Sequence, residues 1–264
     1  MVNLAILLTA TIKVQVAGGN FTADQRVKMY KSTLSYYAQV IGKKYPVIFL
    51  ENSDYDISAL KEEFQEKLDI EFIQFTPDCG LPFLRTKGKG YNEYLMIGAG
   101  IQKSKKIRSC THFLKITGRY PMLNIVTICK EIEKRGETIL FMCDIKDTNI
   151  FRFLRYNNDG HWGDSRFWAA NIIYYKNKMQ NCYTWMDDSA GRYAEEYLYN
   201  LSVMKRNDKH FIFRFIHQVR FDGFSGAVAN VEKARGNYNY NSTMAKIKYY
   251  IRRVLRIITP NLWV

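Results

Sequence analysis

Through residue 143 the chain alternates apolar, strand-like runs with segments whose apolar residues recur every three or four positions, and this alternation most limits its fold. Runs at 4–16, 45–51, 70–75, 111–116 and 138–143 read as strands, and 23–41, 57–68, 91–103 and 123–134 as helices. In the first helix Val27, Tyr30, Leu34, Tyr37 and Val40 mark the apolar stripe, and Asp56 or Ser58 suits the N-cap of the second. A β-α-β-α-β opening predicts an α/β domain with a mainly parallel, Rossmann-like sheet flanked by helices. After residue 147 the sequence turns rich in Trp, Tyr, Asn and Asp; there 165–178 and 191–204 read as helices and 210–219 as a strand on the sheet's edge.

The chain has 264 residues, 47% of them apolar, enough for one large core. We divide it into an α/β half at 1–150, a second half of the same domain at 151–242, and a basic tail at 243–264. Its formal charge of +14 draws it toward phosphates, anionic lipid or nucleic acid without choosing among them. An RNP motif, a helix-turn-helix signal and a zinc finger are all missing, so a basic, aromatic-rich nucleic-acid binder is the weaker alternative. Cys79, Cys110, Cys129, Cys143 and Cys182 are widely spaced, and neither they nor the four histidines have metal-ligand spacing, which fits a reducing cytoplasm. The apolar run at 3–10 lacks a positive flank, and Lys13 interrupts its continuation, so it reads as a first strand rather than a signal segment. No run of about twenty apolar residues predicts a membrane span.

In open α/β sheets ligands lie beyond the carboxyl ends of the strands. Thr9, Thr11 and Lys13 follow the first such end, Glu51 and Asn52 the second, and Lys115-Ile-Thr-Gly-Arg-Tyr120 a later one. Lys115 and Arg119 flank Gly118, where a planar guanidinium matches phosphate oxygens and a glycine admits close approach to the main chain. Lys87-Gly-Lys-Gly-Tyr-Asn-Glu93 leads into a helix, so Lys87, Lys89, Gly90, Asn92 and Glu93 surround amides suited to an anion. A solvated turn is the plainer reading of that loop. Neither segment is a Walker A loop or a dinucleotide fingerprint.

In their order along the chain, Thr9-Ala-Thr-Ile-Lys13, Phe49-Leu-Glu-Asn-Ser-Asp-Tyr-Asp56, the loop from Lys87 to Glu93 and Phe113-Leu-Lys-Ile-Thr-Gly-Arg-Tyr120 resemble the GT-A glycosyltransferases, specifically bacterial enzymes of capsule and O-antigen synthesis. The resemblance covers roughly the first 150 residues. It implies a GT-A-like fold and transfer from a nucleotide-diphosphate sugar, UDP-linked, to a polyprenyl-diphosphate-linked or oligosaccharide acceptor. It also implies that Thr9, Thr11, Lys13, Glu51 and Asn52 border base and ribose, and that Lys87, Lys89, Gly90, Asn92, Glu93, Lys115, Thr117, Gly118, Arg119 and Tyr120 approach the donor. Such enzymes commonly hold a divalent ion with an Asp-x-Asp pair where this chain has Ile116 to Tyr120. Its own Asp54-Tyr-Asp56 falls too early and reads as an Asx turn. Two cations stand where carboxylates are usual, so we expect metal-independent transfer, with Lys115 and Arg119 stabilising the leaving diphosphate. Asp144-Ile-Lys-Asp147 keeps Mg²⁺ or Mn²⁺ open.

An inverting reaction needs a carboxylate as general base. Asp164 is favoured because Trp162 and Arg166 beside it look like an acceptor-sugar wall; Glu195-Glu196 and Asp187-Asp188 match the acidic pair that heads a late helix in many inverting relatives. Each acid also reads as an N-terminal helix charge.

In the tail, Ile247, Ile251, Val254, Leu255 and Ile258 fall on one helical arc and Lys246, Lys248, Arg252, Arg253 and Arg256 on the other. This basic amphipathic helix suits an anionic bilayer, with Trp263 and either Tyr249 or Tyr250 at the interface. Equally, its apolar arc would dock on its own domain. The membrane alternative places the protein in the cytoplasm, peripheral at the inner face of the cell membrane.

Overall fold

A computed structural model describes residues 2–14, 21–76, 79–147, 161–222 and 242–260. Its strands are β1 (Leu4–Ala10), β2 (Val47–Glu51), β3 (Ile70–Gln74), β4 (His112–Thr117), β5 (Phe141–Asp147), β6 (His161–Asn171) and β7 (Phe211–Ile212). The helices are α1 (Ala23–Val40), α2 (Ser58–Phe64), α3 (Gly88–Lys103), α4 (Ile125–Arg135), the single turn α5 (Ile172–Tyr174), α6 (Ala194–Met204) and α7 (Thr243–Ile258). One sheet runs β3-β2-β1-β4-β6-β5-β7, and every strand is parallel to its fellows except β6, which opposes both neighbours.

The two-residue period of β1 shows how the sequence builds two layers. Leu4, Ile6 and Leu8 face one core, shared with Leu34 and Tyr37 of α1 and Ile128 and Ile132 of α4. Ala5 and Leu7 face the other, with Tyr94 and Ile97 of α3 and Leu198 of α6. Burial on both faces explains the uninterrupted apolar run. Thr22 starts α1 with a reciprocal capping box: its hydroxyl accepts the Gln25 amide, and the Gln25 side chain accepts the Thr22 amide.

The reading of 165–178 as a helix is corrected. Residues 161–171 form β6, wedged between β4 and β5, with helical turns only after Asn171. Phe167 to Ala170 are buried on both faces, and Trp168 stacks between Tyr94 and Tyr175 with ring centroids 5.8 and 5.7 Å away. A short apolar run of this kind carries no period that separates a central strand from a buried helix. The edge strand expected over 210–219 shrinks to two residues, and α2 begins without a side-chain cap. Asp56 instead accepts the Ser58 amide at 2.9 Å, an Asx turn as expected. Because β6 lies inside the sheet, the halves before and after residue 150 share one set of strands. Residues 15–20, which include the loop expected at Gly18-Gly19, and Trp263 lie outside the described residues.

Candidate functional site

The carboxyl ends of β1 and β4, the N-terminal turns of α1 and α3, and the start of α6 surround a cleft of about 600 Å³. It lies where the strand order reverses, since β1 feeds β2 on one side and pairs with β4 on the other. Of the residues singled out from the sequence, Thr9, Thr11, Lys13, Asn52, Lys89, Gly90, Asn92, Glu93, Thr117, Arg119, Tyr120, Arg166 and Glu195 line it.

Beneath the cleft is a closed polar network. The ammonium of Lys115 is fully buried, 2.8 Å from Glu93 Oε1 and donating to the Ser165 carbonyl at 2.6 Å. The Thr9 hydroxyl donates to the same Glu93 oxygen at 2.5 Å, so one carboxylate ties β1, α3 and β4 together. Lys115 therefore does not line the cleft, and its expected contact with a diphosphate is corrected to a role in the floor. The reason is strand alternation: its side chain points into the sheet's covered face toward α3, while Arg119 lies beyond the strand end. Gly118 is likewise buried; a Cβ there would lie 3.0 Å from the Thr9 carbonyl and 3.4 Å from the Tyr30 ring, so its smallness serves chain packing rather than a ligand.

Glu51 is also displaced from its expected place. Its carboxylate is buried, accepts the Ile12 and Ser53 amides and the Ser53 hydroxyl, and fixes the turn after β1; burial raises its pKa despite those bonds. The cleft-facing neighbour is Asn52, whose Oδ1 accepts the Thr11 hydroxyl at 2.7 Å.

Three cations meet on the wall. Arg26 of α1 is 6% exposed, donates to the Thr11 carbonyl at 2.9 Å, and keeps an Nε–H without an acceptor among the described residues. Burial depresses its pKa, and Arg119 depresses it further. Lys89 is depressed by burial and then by repulsion from Arg119 and Arg26, against the pull of Asp188. Arg26 was missed from the sequence, yet its signal was there: it falls one turn before Tyr30 on the buried stripe of α1, where a charge needs a reason. Asp188, one of the acids considered from the sequence, lines the cleft too, and Arg85, Tyr30, Ser165 and Tyr193 also line it and were not foreseen as cleft residues.

The α3 N-terminus is held by a facing acidic turn. Asp188 accepts the Lys89 amide at 2.7 Å, and Gly88 is required beneath it, since a Cβ there would fall 2.1 Å from that carboxylate. Lys87 turns away from the cleft to meet Asp187 at 2.5 Å; this contact and the Ser189 hydroxyl hold the Asp187 carboxyl down at about 2. Asn92 bonds the backbone of Leu84 and Gly88, clamping the loop to the helix.

Beside the cleft β5 and β6 slip out of register. Cys143 pairs with Trp168 and Ile145 with Gly163, so residues 164 to 167 of β6 face Asp144 alone. Such an irregularity re-aims side chains, and here Ser165 and Arg166 reach the cleft. Gly163 lets α6 approach closely, because a Cβ would meet Leu198 at 2.5 Å. Glu195, in the first turn of α6, consequently accepts the Ser165 hydroxyl at 2.6 Å.

Asp164 is not a cleft residue: its carboxylate is almost buried and binds Arg166 through Nε at 2.8 Å and Nη2 at 2.5 Å. Glu196 and Trp162 also lie outside the lining, and Lys146 covers the Trp162 ring at 4.3 Å. Asp144 is used by Arg256 and the Phe215 amide. Among the described residues no cluster of three His, Cys, Asp or Glu converges as a metal site.

No family model matches this chain, and no curated protein does. Solved structures are similar at a distance. A putative nucleotide-diphospho-sugar transferase from Desulfovibrio desulfuricans aligns at TM-score 0.49 and 7% identity over 97% of this chain and 98% of its own. Mouse xyloside xylosyltransferase aligns at 0.46 and 11% identity over 81% and 85%. The 4-diphosphocytidyl-2C-methyl-D-erythritol synthase of Anaerococcus prevotii aligns at 0.45 and 10% identity over 88% and 92%. At these distances the similarity carries no activity to this chain, whose site stands on its own residues.

Proposed function

We propose that the chain is a glycosyltransferase that moves a sugar from a UDP-linked donor to a lipid-linked or oligosaccharide acceptor, in capsule or O-antigen synthesis on the inner face of a cell membrane. The observation that carries this reading is the convergence of Arg26, Lys89 and Arg119 at a strand-end cleft beside Thr11 and Asn52. Like charges brought together in a partly buried site lower each other's pKa, and a diphosphate relieves that cost. As the bond between sugar and diphosphate breaks, negative charge grows on the departing oxygen, and cations already in place stabilise it.

Glu195 is the general base in this reading. It lines the same cleft as the cations, and its carboxylate is oriented by Ser165, whose carbonyl is itself fixed by Lys115. A divalent ion fits poorly, since arginine and lysine occupy the wall and no acidic cluster faces the diphosphate position among the described residues. Convergence of three cations on one cleft also suits a small anion better than a nucleic-acid strand.

Calorimetry with UDP, compared with ADP and with single-stranded DNA across a salt series, tests the donor site. Selective UDP uptake that survives EDTA is expected. No nucleotide uptake sinks the donor reading, and loss of activity on chelation with recovery on Mn²⁺ sinks its metal-free part. Glu195→Gln is expected to remove turnover while leaving UDP affinity intact; retained turnover disqualifies Glu195.

A further inference from the structure

The C-terminal helix α7 is attached to the body by its polar side. Arg256 is 8% exposed, donates to the Phe215 carbonyl at 2.6 Å, and pairs with Asp144 at 2.9 Å. Arg252 reaches Gln218 at 3.1 Å, and Arg220 lies 4.1 Å over the Tyr249 ring. Residues 249, 252 and 256 stack on one side of a helix, so the opposite side turns outward. That side is apolar: Met244, Ile247, Ile251, Val254, Leu255 and Ile258 are 47% to 70% exposed. Neither sequence expectation foresaw this arrangement in full. Docking occurs, but through cations rather than the apolar arc, and Arg256 is thereby withdrawn from any lipid contact.

We infer that the outward arc of α7 is a docking surface for an anionic bilayer. An apolar stripe of this length, left uncovered among the described residues, is the form of a helix that lies in the headgroup region. Charge selects the occupant. Lys246 and Lys248 are exposed on the same helix, and no Asp or Glu occurs from residue 243 to the end of the chain. Two copies meeting through this arc would bring their basic flanks together with no acid from either helix between them, whereas anionic headgroups neutralise them.

The position of α7 deepens the proposed function and rests on it only for the acceptor. Arg220 covers α7 at Tyr249, and the next residue, Phe221, lies 5.0 Å beneath the guanidinium of Arg166, a cleft residue. One short segment therefore joins the body-facing side of α7 to the Arg166 side of the cleft. A sugar acceptor carried on a lipid anchor would meet the site from there.

Cosedimentation of the full chain with vesicles of 30% phosphatidylglycerol in phosphatidylcholine, and with phosphatidylcholine alone, tests the surface. Binding at least tenfold tighter to the anionic vesicles is expected, and weakened at least tenfold by Ile251→Asn with Val254→Asn. Those outward substitutions leave the melting temperature and UDP affinity unchanged. Lys246→Gln with Lys248→Gln should narrow the difference between the two vesicle types. Wild-type protein that ignores both vesicles, or a double variant that binds them undiminished, overturns the inference. So does a wild-type dimer in vesicle-free ultracentrifugation that Ile251→Asn with Val254→Asn makes monomeric, because a second copy then covers the arc. UDP calorimetry on the same samples reads the donor site separately, so failure of either idea is recognised without the other.

Discussion

The floor and the wall of the cleft use the same residue types to opposite ends. In the floor, Lys115 is fully buried and meets Glu93, Thr117 and the Ser165 carbonyl, so its charge is answered within the protein. On the wall, Arg26, Lys89 and Arg119 press on one another, and the pKa values of Arg26 and Lys89 fall in consequence of burial and of that crowding. The difference teaches that a cation's company, more than its place in a motif, separates structure from binding. Lys115 and Arg119 are four residues apart in one segment and belong to different categories.

Substituting the two cations breaks this comparison most directly. Lys115→Met leaves Glu93 without its buried partner, and because Glu93 is 24% exposed the loss should fall at the low end for such pairs. About 3 kcal/mol is expected, or roughly 6–12 °C in melting temperature by calorimetry. Arg119→Ala should leave the melting temperature nearly unchanged while kcat/KM falls about 10²-fold or more. If instead Arg119→Ala unfolds the protein and Lys115→Met mainly weakens the donor, floor and wall have been assigned the wrong way round.

Gly88→Ala probes the rim between them. Gly88 has φ +85° and ψ −167°, a region essentially reserved for glycine, and faces the Asp188 carboxylate. A loss of about 1–3 kcal/mol is expected in denaturant unfolding, with weakened donor binding because the α3 N-terminus shifts. The smallest effect is one of pH. Lys89 titrates below an ordinary lysine, and a bound diphosphate favours its charged form, so affinity is full below the lowered pKa and declines as pH rises through it. Lys89→Arg keeps its charge, and its affinity for UDP should decline less between neutral and alkaline pH in parallel titrations. Parallel declines would show that Lys89 does not meet the anion.

Much of the cationic side of the cleft was legible because strand ends carry their own signature. Thr11, Asn52 and Arg119 follow apolar runs, and Gly90 opens a helical pattern, so their placement needed only the rule that parallel sheets bind ligands at carboxyl ends. The side built from β6 and α6 was not legible. It depends on β6 inserting antiparallel between β4 and β5, a long-range pairing that local periodicity does not encode, and on a register slip at Asp144. Asp164 thus looked like a base in the sequence and became the partner of Arg166, while Glu195 was brought across to Ser165 by α6 packing on Gly163.

The tail divides the same way. Its sequence by itself determined a helix with an apolar and a basic arc, because that follows from 3.6 residues per turn. Which arc faces the body was decided in three dimensions, by a buried Asp144 that Arg256 of α7 meets at 2.9 Å. Local pattern sets the elements and their faces. Contacts between residues distant in the chain, settled by burial and charge pairing, decide what those faces meet.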